Sequence, residues 1–295
     1  LKVVILGAAG FVGRNLLAGL HDTDLTISSA DIADMNSNVT HNRVDITNLD
    51  SVKRVIEGTD VVVHLAVHQL MASFKDILMN ANVNIMGTLN ILEAARLTNV
   101  KKLIFTSASS IVGTINRSPV DEKHPCIPKT PYGVTKLAAE HYLRLYQELY
   151  NLDYLTFRFF NIYGPYQAEG LIPLLYKKLT SNQPIDVFGG GNQIRDYVFI
   201  KDIVPFFYKA IKEDSIRNMV VNLGTGAGRS VLEVVNIASK ILGIKPTINF
   251  KPRRDGEIDD YVADVDRLKL LFGTVPSTTL EEGLQKTFNW LRSFG

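Results

Sequence analysis

Short apolar runs rich in β-branched residues recur along the first half of the chain. They are Val3-Val4-Ile5-Leu6, Leu25-Thr26-Ile27, Val61-Val62-Val63, Leu103-Ile104-Phe105 and Tyr154-Leu155-Thr156-Phe157, and the apolar positions between them take helical spacing. A strand apolar at every position is buried on both faces, so the pattern predicts an α/β fold, a doubly wound parallel sheet covered by helices. Long helices are expected at 11–20, 77–98 and 132–150. After Pro165 the pattern loosens into a helix near 171–180, a turn at Gly189-Gly190-Gly191, a short strand near 197–200 and helices near Asp202, Ser230 and Leu280. The expected division is a first domain at 1–165 and a smaller mixed α/β substrate-binding lobe at 166–295, with part of the later chain returning to the sheet.

Composition narrows the partners. With 295 residues, 46% of them hydrophobic, the chain can bury one large core and a smaller one. Its 32 basic and 30 acidic residues leave a net charge of +2, too weak a field to gather nucleic acid or an anionic membrane, so any phosphate must be held locally. Neither is expected as a partner. The single cysteine, Cys126, excludes an internal disulfide and a cysteine-based zinc cluster and suits a reducing compartment, so the expected location is the cytoplasm. No apolar run approaches the roughly 20 residues of a membrane-spanning helix. The apolar start breaks at Gly7 and reads as a buried strand, and Leu1 standing directly before it reads as a chain that begins with its fold and carries no address. His64, His68, His124 and His141 have irregular spacing and no carboxylate joins them in a ligand pattern, so no metal is expected.

Local chemistry is concentrated at two places. Gly7-Ala8-Ala9-Gly10-Phe11-Val12-Gly13 joins the first strand to the first helix. There the absence of a Cβ at Gly7, Gly10 and Gly13 lets the N–H groups of the loop and of Phe11 and Val12 meet a pyrophosphate at the helix N-terminus. The spacing G-x-x-G-x-x-G differs from the G-x-G-x-x-G of ordinary Rossmann dehydrogenases, yet the strand-turn-helix context is the same. Asp31, just past the second strand, can accept hydrogen bonds from an adenosine ribose and repel a 2′-phosphate, which favours NAD over NADP. Asp45-Ile46 is a candidate for the adenine amino group; a surface turn is the alternative. The second place is Pro131-Tyr132-Gly133-Val134-Thr135-Lys136 at the start of a helix. Tyr132 and Lys136, four apart, share a helix face, and an ammonium beside a phenol favours the phenolate, a general base.

These motifs, together with His64-Leu65-Ala66, Asn84-Ile85-Met86-Gly87-Thr88, Arg158-Phe159-Phe160-Asn161-Ile162-Tyr163-Gly164-Pro165, the run from Val187 to Val198, Asn222-Leu223-Gly224-Thr225-Gly226 and Arg254-Asp255-Gly256-Glu257, span nearly the whole chain. In this order they resemble the extended short-chain dehydrogenase/reductase family, in its nucleotide-sugar epimerase and dehydratase group, UDP-glucose 4-epimerase-like. The resemblance implies a Rossmann-like NAD-binding domain, with Leu65, Ala66, Asn84 and Ser107 adding to the cofactor site and Lys136 reaching the nicotinamide ribose. It implies that Asn161, Arg195 and Arg254 hold the phosphates of a sugar nucleotide, most commonly UDP-linked, and that Ile172 flanks its base. Guanidinium forks suit phosphate oxygens. In many relatives the helices at 77–98 and 132–150 form a homodimer interface, which is expected here too.

The chain departs from the family at one catalytic position. A Ser or Thr usually stands three residues before a Val-Tyr-Gly; aligning Ile111-Val112-Gly113 with that triplet places Ala108 there, and Ser109 is the nearest candidate to supply the hydroxyl. Dehydratases of the family place an Asp-Glu pair directly after this residue because elimination of water needs its own acid and base. Ser109-Ser110 supply neither, so 4-epimerisation, a transient oxidation at sugar C4 with Tyr132 as base and hydride passing to and from tightly bound NAD, is the economical expectation. A dehydratase, decarboxylase or reductase of the same family and a non-catalytic NAD-binding relative are the alternatives. The stretch Gly164 to Leu171 is also shorter than the family's usual substrate loop.

Overall fold

The computed structural model describes residues 1–36, 38–253 and 260–294. Contacts divide the chain into two compact units, each discontinuous in sequence. The first gathers Leu1–Thr114, Lys123–Phe159 and Val204–Val221; the second gathers Ile115–Glu122, Phe160–Ile203 and Asn222–Gly295. The chain passes into the second unit at Phe160 and re-enters the first at Val204.

The first unit carries β1 (Lys2–Leu6), β2 (Thr26–Asp31), β3 (His41–Arg43), β4 (Val61–His64), β5 (Lys102–Ala108) and β6 (Asp153–Phe159); late in the chain β10 (Met219–Leu223) joins them. They form one seven-stranded sheet in the order β10-β6-β5-β4-β1-β2-β3. Neighbours from β3 to β6 pair in parallel. β10 runs the same way: the Asn218 N–H donates to the Tyr154 carbonyl at one end, and the Phe160 N–H to the Leu223 carbonyl at the other. The strand order reverses at β1, which lies between β2 and β4, and such a switch point is where doubly wound sheets open a crevice beyond the carboxyl ends of their strands.

The continuous apolar runs are buried for the reason the pattern gave. Val4, Leu6, Val62, Leu103 and Phe105 pack against Ile91, Leu92 and Ala95 of the helix Gly87–Leu97 and against Ala139 and Leu143 of the helix Pro131–Tyr150. The latter helix starts at a defined residue. Thr130 accepts a hydrogen bond from the Gly133 N–H at 3.0 Å and Pro131 fills the first helical position, while Asn151 ends the helix at φ 56°. The returning helix Val204–Lys212 is fastened to the sheet layer by Lys102, whose ammonium donates to the carbonyls of Ala210 and Glu213 at 2.9 and 2.8 Å.

The helix expected over 77–98 is interrupted. Ile77–Ala81 and Gly87–Leu97 are α-helical, but Asn82–Met86 forms a π turn in which the Gly87 N–H reaches back to the Asn82 carbonyl. Such wide turns are frequent at functional sites. Gly87, at its end, packs closely on the Ile46 side chain, to whose Cδ1 a Cβ would stand 2.6 Å.

The second unit is built around β9 (Ile194–Phe199), flanked by β7 (Asn161–Tyr163), β11 (Gly228–Ser230) and β13 (Asp260–Tyr261); β8 (Ile185–Phe188) pairs separately with β12 (Ile248–Lys251). Asp196 of β9 is fully buried and staples this unit, its carboxylate accepting from Thr225 N and Oγ1, Gly226 N and Ala263 N. Among the described residues no helix is long and apolar enough to cross a membrane.

Candidate active site

At the tip of β1 the glycines are required by close approach. Gly7 has φ +87°, and a Cβ there would lie 2.4 Å from the Ala66 nitrogen and 2.7 Å from the Leu65 carbonyl carbon. Leu65 and Ala66, just past β4, thus lie directly against the glycine loop. A Cβ on Gly13 would stand 2.5 Å from both Ala8 Cα and the Gly7 oxygen, so only glycine lets the helix Phe11–Leu20 begin this tightly on the loop. Gly10 caps that helix from an exposed position and has no side chain of its own to bond its first N–H groups, among them those of the half-buried Phe11 and Val12. A helix start left open in this way fits the pyrophosphate of a dinucleotide.

Asp31 ends β2, and its carboxylate accepts from Ala9 N at 2.9 Å and Ala33 N at 3.0 Å. The first bond ties the ribose-binding candidate to the glycine loop, and each oxygen keeps a lone pair for a hydroxyl. Asp45 is exposed and its Oδ1 takes the Thr47 N–H and hydroxyl in a local turn, while Ile46 is buried beneath Gly87.

The catalytic candidates meet at the end of β5. Lys136 is buried; its ammonium donates to the Thr106 carbonyl at 2.8 Å and lies 4.5 Å from the Phe105 ring centroid and 5.8 Å from that of Tyr132. Burial pulls the Lys136 amine down to about 7, opposed by the Glu140 carboxylate one turn further along the helix. Tyr132 is half-buried, and burial pushes its phenol above the ordinary value. In both groups desolvation dominates, so burial rather than the neighbouring ammonium sets the direction in which the phenol is shifted.

Ser107 is buried on β5 and its hydroxyl meets no partner among the described residues; Ala108 ends the strand, and Ser109 opens the short turn Ser109–Ile111 and is buried. The Ser110 hydroxyl is likewise buried without a partner among the described residues.

Asn84 sits in the π turn, buried, with its Oδ1 accepting from His68 N at 2.7 Å and its Nδ2 donating to the His68 carbonyl and Thr135 Oγ1 at 3.1 and 3.0 Å. His64, absent from the expected site, lies beneath it. The Thr88 hydroxyl donates to the Asn84 carbonyl at 2.7 Å, so it must accept from His64 Nε2 at 2.9 Å, which leaves His64 Nδ1 as the unprotonated nitrogen. Burial first, and then the Lys136 charge, hold this imidazole down to about 3. Arg158 and Glu140 form a buried two-point ion pair at 3.0 and 2.7 Å behind the same helix.

In the second unit Asn161 opens β7 opposite Tyr197 of β9 and donates to the Asp196 carbonyl at 3.3 Å, so it and Arg195 stand on adjacent strands. Arg195 Nη1 donates to the Ile194 carbonyl at 2.8 Å. Ile172 is buried in the first turn of the helix Leu171–Thr180. Arg254 lies outside the described residues. In the short loop after β7, Tyr166 packs against Trp290 with ring centroids 4.8 Å apart and the rings tilted by 55°. No group of three or more His, Cys, Asp or Glu that could hold a metal ion occurs among the described residues.

A glycine-looped parallel sheet with a Tyr-Lys helix beside β5 defines a dinucleotide-dependent enzyme of the short-chain dehydrogenase/reductase kind. The model of the NAD dependent epimerase/dehydratase family matches residues 3–224, and the chain belongs to that family; its cofactor is NAD. Within it the chain is of the extended, UDP-glucose 4-epimerase-like type. It is 30% identical over 315 residues to a UDP-glucose 4-epimerase of Mycolicibacterium smegmatis, with 99% of each chain covered. Among solved structures, it is similar to a UDP-glucose 4-epimerase from Thermotoga maritima determined with UDP-glucose, with TM-score 0.94 and 27% identity over 100% of this chain and 99% of that one. It is also similar to a UDP-glucuronic acid 4-epimerase from Bacillus cereus in complex with UDP-glucuronic acid and NAD, with TM-score 0.93 and 29% identity over 100% of both.

Proposed function

We propose that this chain is an NAD-dependent nucleotide-sugar 4-epimerase acting on a UDP-linked hexose. The observation that carries the reading is the Tyr132-Lys136 pair at the end of a β5 whose next residues, Ser109 and Ser110, offer no carboxylate for elimination of water. Bound NAD supplies the hydride acceptor and the positive charge of its oxidised nicotinamide. Tyr132 Oη takes the proton of the sugar 4-hydroxyl and returns it when the reaction closes on either face. Lys136 holds its positive charge beside that phenol and is anchored by the Thr106 carbonyl. Ser109 stands in for the hydroxyl missing at Ala108, steadying the reacting oxygen. Gly7, Gly10, Phe11, Val12 and Gly13 take the NAD pyrophosphate and Asp31 its ribose, with Asp45, Ile46, Leu65, Ala66, Asn84 and Ser107 completing that site. Asn161, Arg195 and Arg254 grip the sugar-nucleotide diphosphate, and Ile172 backs the segment that meets its base.

The relatives named above act on UDP-sugars, which is what supports the carrier. A homodimer is part of the same reading: Ile77, Leu78, Met79 and Met86 on one helical segment and Val134, Leu145, Leu149 and Tyr150 on the other are exposed, an apolar surface that the fold itself does not bury. A cytoplasmic location rests on the single cysteine.

The test is incubation of the purified protein with NAD and a panel of UDP- and dTDP-hexoses and hexuronic acids, with products read by proton NMR. Interconversion of a C4 epimer pair without net NADH supports the reading, and Tyr132→Phe must abolish it while keeping NAD bound. Ala108 favours one rival, a non-catalytic NAD-binding protein, and no conversion of any sugar despite tight NAD binding would establish that rival instead.

A further inference from the structure

Three side chains on and beside the catalytic helix form a polar cluster, of which the chemistry above uses only Asn84. Asn80, Asn84 and Thr135 are all buried, at 0%, 3% and 4% exposure. Both amides hold the backbone of one residue: Asn80 Nδ2 and Asn84 Nδ2 donate to the His68 carbonyl at 3.0 and 3.1 Å, while Asn84 Oδ1 accepts the His68 N–H at 2.7 Å. Both amides then turn to one hydroxyl. Thr135 Oγ1 accepts from Asn84 Nδ2 at 3.0 Å and shares its proton between the Tyr132 carbonyl at 2.9 Å and Asn80 Oδ1 at 3.2 Å.

We propose that Asn80 and Thr135 are positioning residues that lock the turn bearing Tyr132 and Lys136 onto the His68 peptide, and so fix the catalytic pair relative to the cofactor loop.

Three observations carry this. Thr135 immediately precedes Lys136 and bonds the carbonyl of Tyr132, so its hydroxyl sets the rotation of the one helical turn that holds both reacting groups. The other end of the lock is not arbitrary: His68 lies in the segment just after Ala66, whose backbone nitrogen presses on Gly7. Finally, Asn84 stands inside the π turn and Asn80 just before it, where a regular helix is abandoned. Satisfied buried polar networks rigidify the groups they join, and an apolar contact of the same volume would fill this space without fixing direction.

The proposal rests on the reading of Tyr132 as the base, so its test carries one arm that needs no turnover. Thr135→Val keeps the shape and removes the hydroxyl; Thr135→Ser restores it. In the holoenzyme, Tyr132 is replaced by 3-fluorotyrosine and its fluorine NMR line is compared among the three chains; in chains with native Tyr132, kcat and KM for UDP-hexose interconversion are measured alongside NAD content and melting temperature. The expected result for Thr135→Val is a displaced or split fluorine line and a kcat lowered about tenfold with KM within about twofold, as for a reacting group held slightly out of place, with Thr135→Ser returning both to the wild type. A Thr135→Val chain that melts lower but keeps the wild-type fluorine line and kcat would overturn the proposal. If the wild type converts no sugar, the epimerase reading fails while the fluorine line still decides the positioning. Should Thr135→Val not fold, Asn80→Leu carries the same readings, with the same outcomes in either direction.

Discussion

Replacing Lys136 by methionine is expected to make the protein more stable while destroying its activity. Lys136 is 3% exposed and held at about 7, against 10.5 for an ordinary lysine, so its burial amounts to roughly 3.5 pH units, or about 5 kcal/mol at ~1.4 kcal/mol per unit. The sign follows from proton counts. In the unfolded chain the amine keeps its proton until near pH 10.5, and in the folded chain it begins to lose it near 7, so between these values the unfolded state binds more protons and stability rises with pH. Below about pH 7 both states are charged and the full burial cost stands. The methionine side chain would fill the same space without that cost, but the Thr106 carbonyl would lose its donor, returning about 1–3 kcal/mol. The net expectation for cofactor-free protein at neutral pH is a gain on the order of 2–4 kcal/mol. Urea unfolding of wild type and Lys136→Met at a series of pH values from about 6.5 to 9.5 checks this. The advantage of the variant should shrink as pH rises, because the wild-type amine is discharged in the fold. A variant less stable than wild type, or an advantage that does not change with pH, would refute the electrostatic account of this lysine.

Three further outcomes follow from the same geometry. Gly7→Ala sets a Cβ against the Ala66 backbone at a positive φ and should cost about 3 kcal/mol or more and abolish NAD binding by calorimetry; retained affinity would contradict the close approach. His64 is held at about 3 against 6.5, so stability should fall as pH drops through that window, and the fall should be shallower in His64→Leu when both are followed by circular dichroism. Arg158→Met alone leaves the Glu140 carboxylate buried and should cost about 3–5 kcal/mol, whereas Arg158→Met with Glu140→Leu should cost clearly less; additive losses in the double-mutant cycle would show that the two do not act as a pair.

What the sequence made legible is what depends on local pattern. β1, β4, β5 and β6 announce themselves because strands buried on both faces carry unbroken apolar runs of two to four residues, and the glycine loop and the Tyr132-Lys136 turn show in their spacing taken together with that context. β3 could not be read this way: His41-Asn42-Arg43 is polar because it lies at the edge of the sheet. A return of part of the later chain to the sheet is expected from the sequence, but which part is not: that it is Val204–Val221 is a matter of long-range packing, for which Lys102 and its two carbonyl partners leave no signature in their own neighbourhoods. The π turn hid inside a run of good helical spacing, although the polar residues Asn80, Asn84 and Thr88 recurring at intervals of four were a usable signal. The protonation of Tyr132 and Lys136 also needed the fold. Sequence places an ammonium near a phenol, but only the tertiary contacts show how far each is desolvated and that the Thr106 carbonyl accepts the ammonium's hydrogen bond.

The late arrival of β10 has a consequence for how this chain can come into being. β6 is buried along most of its length, yet its outer neighbour is synthesised only after the whole stretch Phe160–Ile203 of the other unit has emerged. Until then a nascent chain presents the open edge of an apolar strand, a template for pairing with any other unfinished chain nearby. A fragment ending near residue 165 keeps that edge permanently, so the two units cannot be separated as expression modules or exchanged between relatives by a single crossover. Recombinants that keep Val204–Leu223 together with β6 are the ones expected to remain in solution.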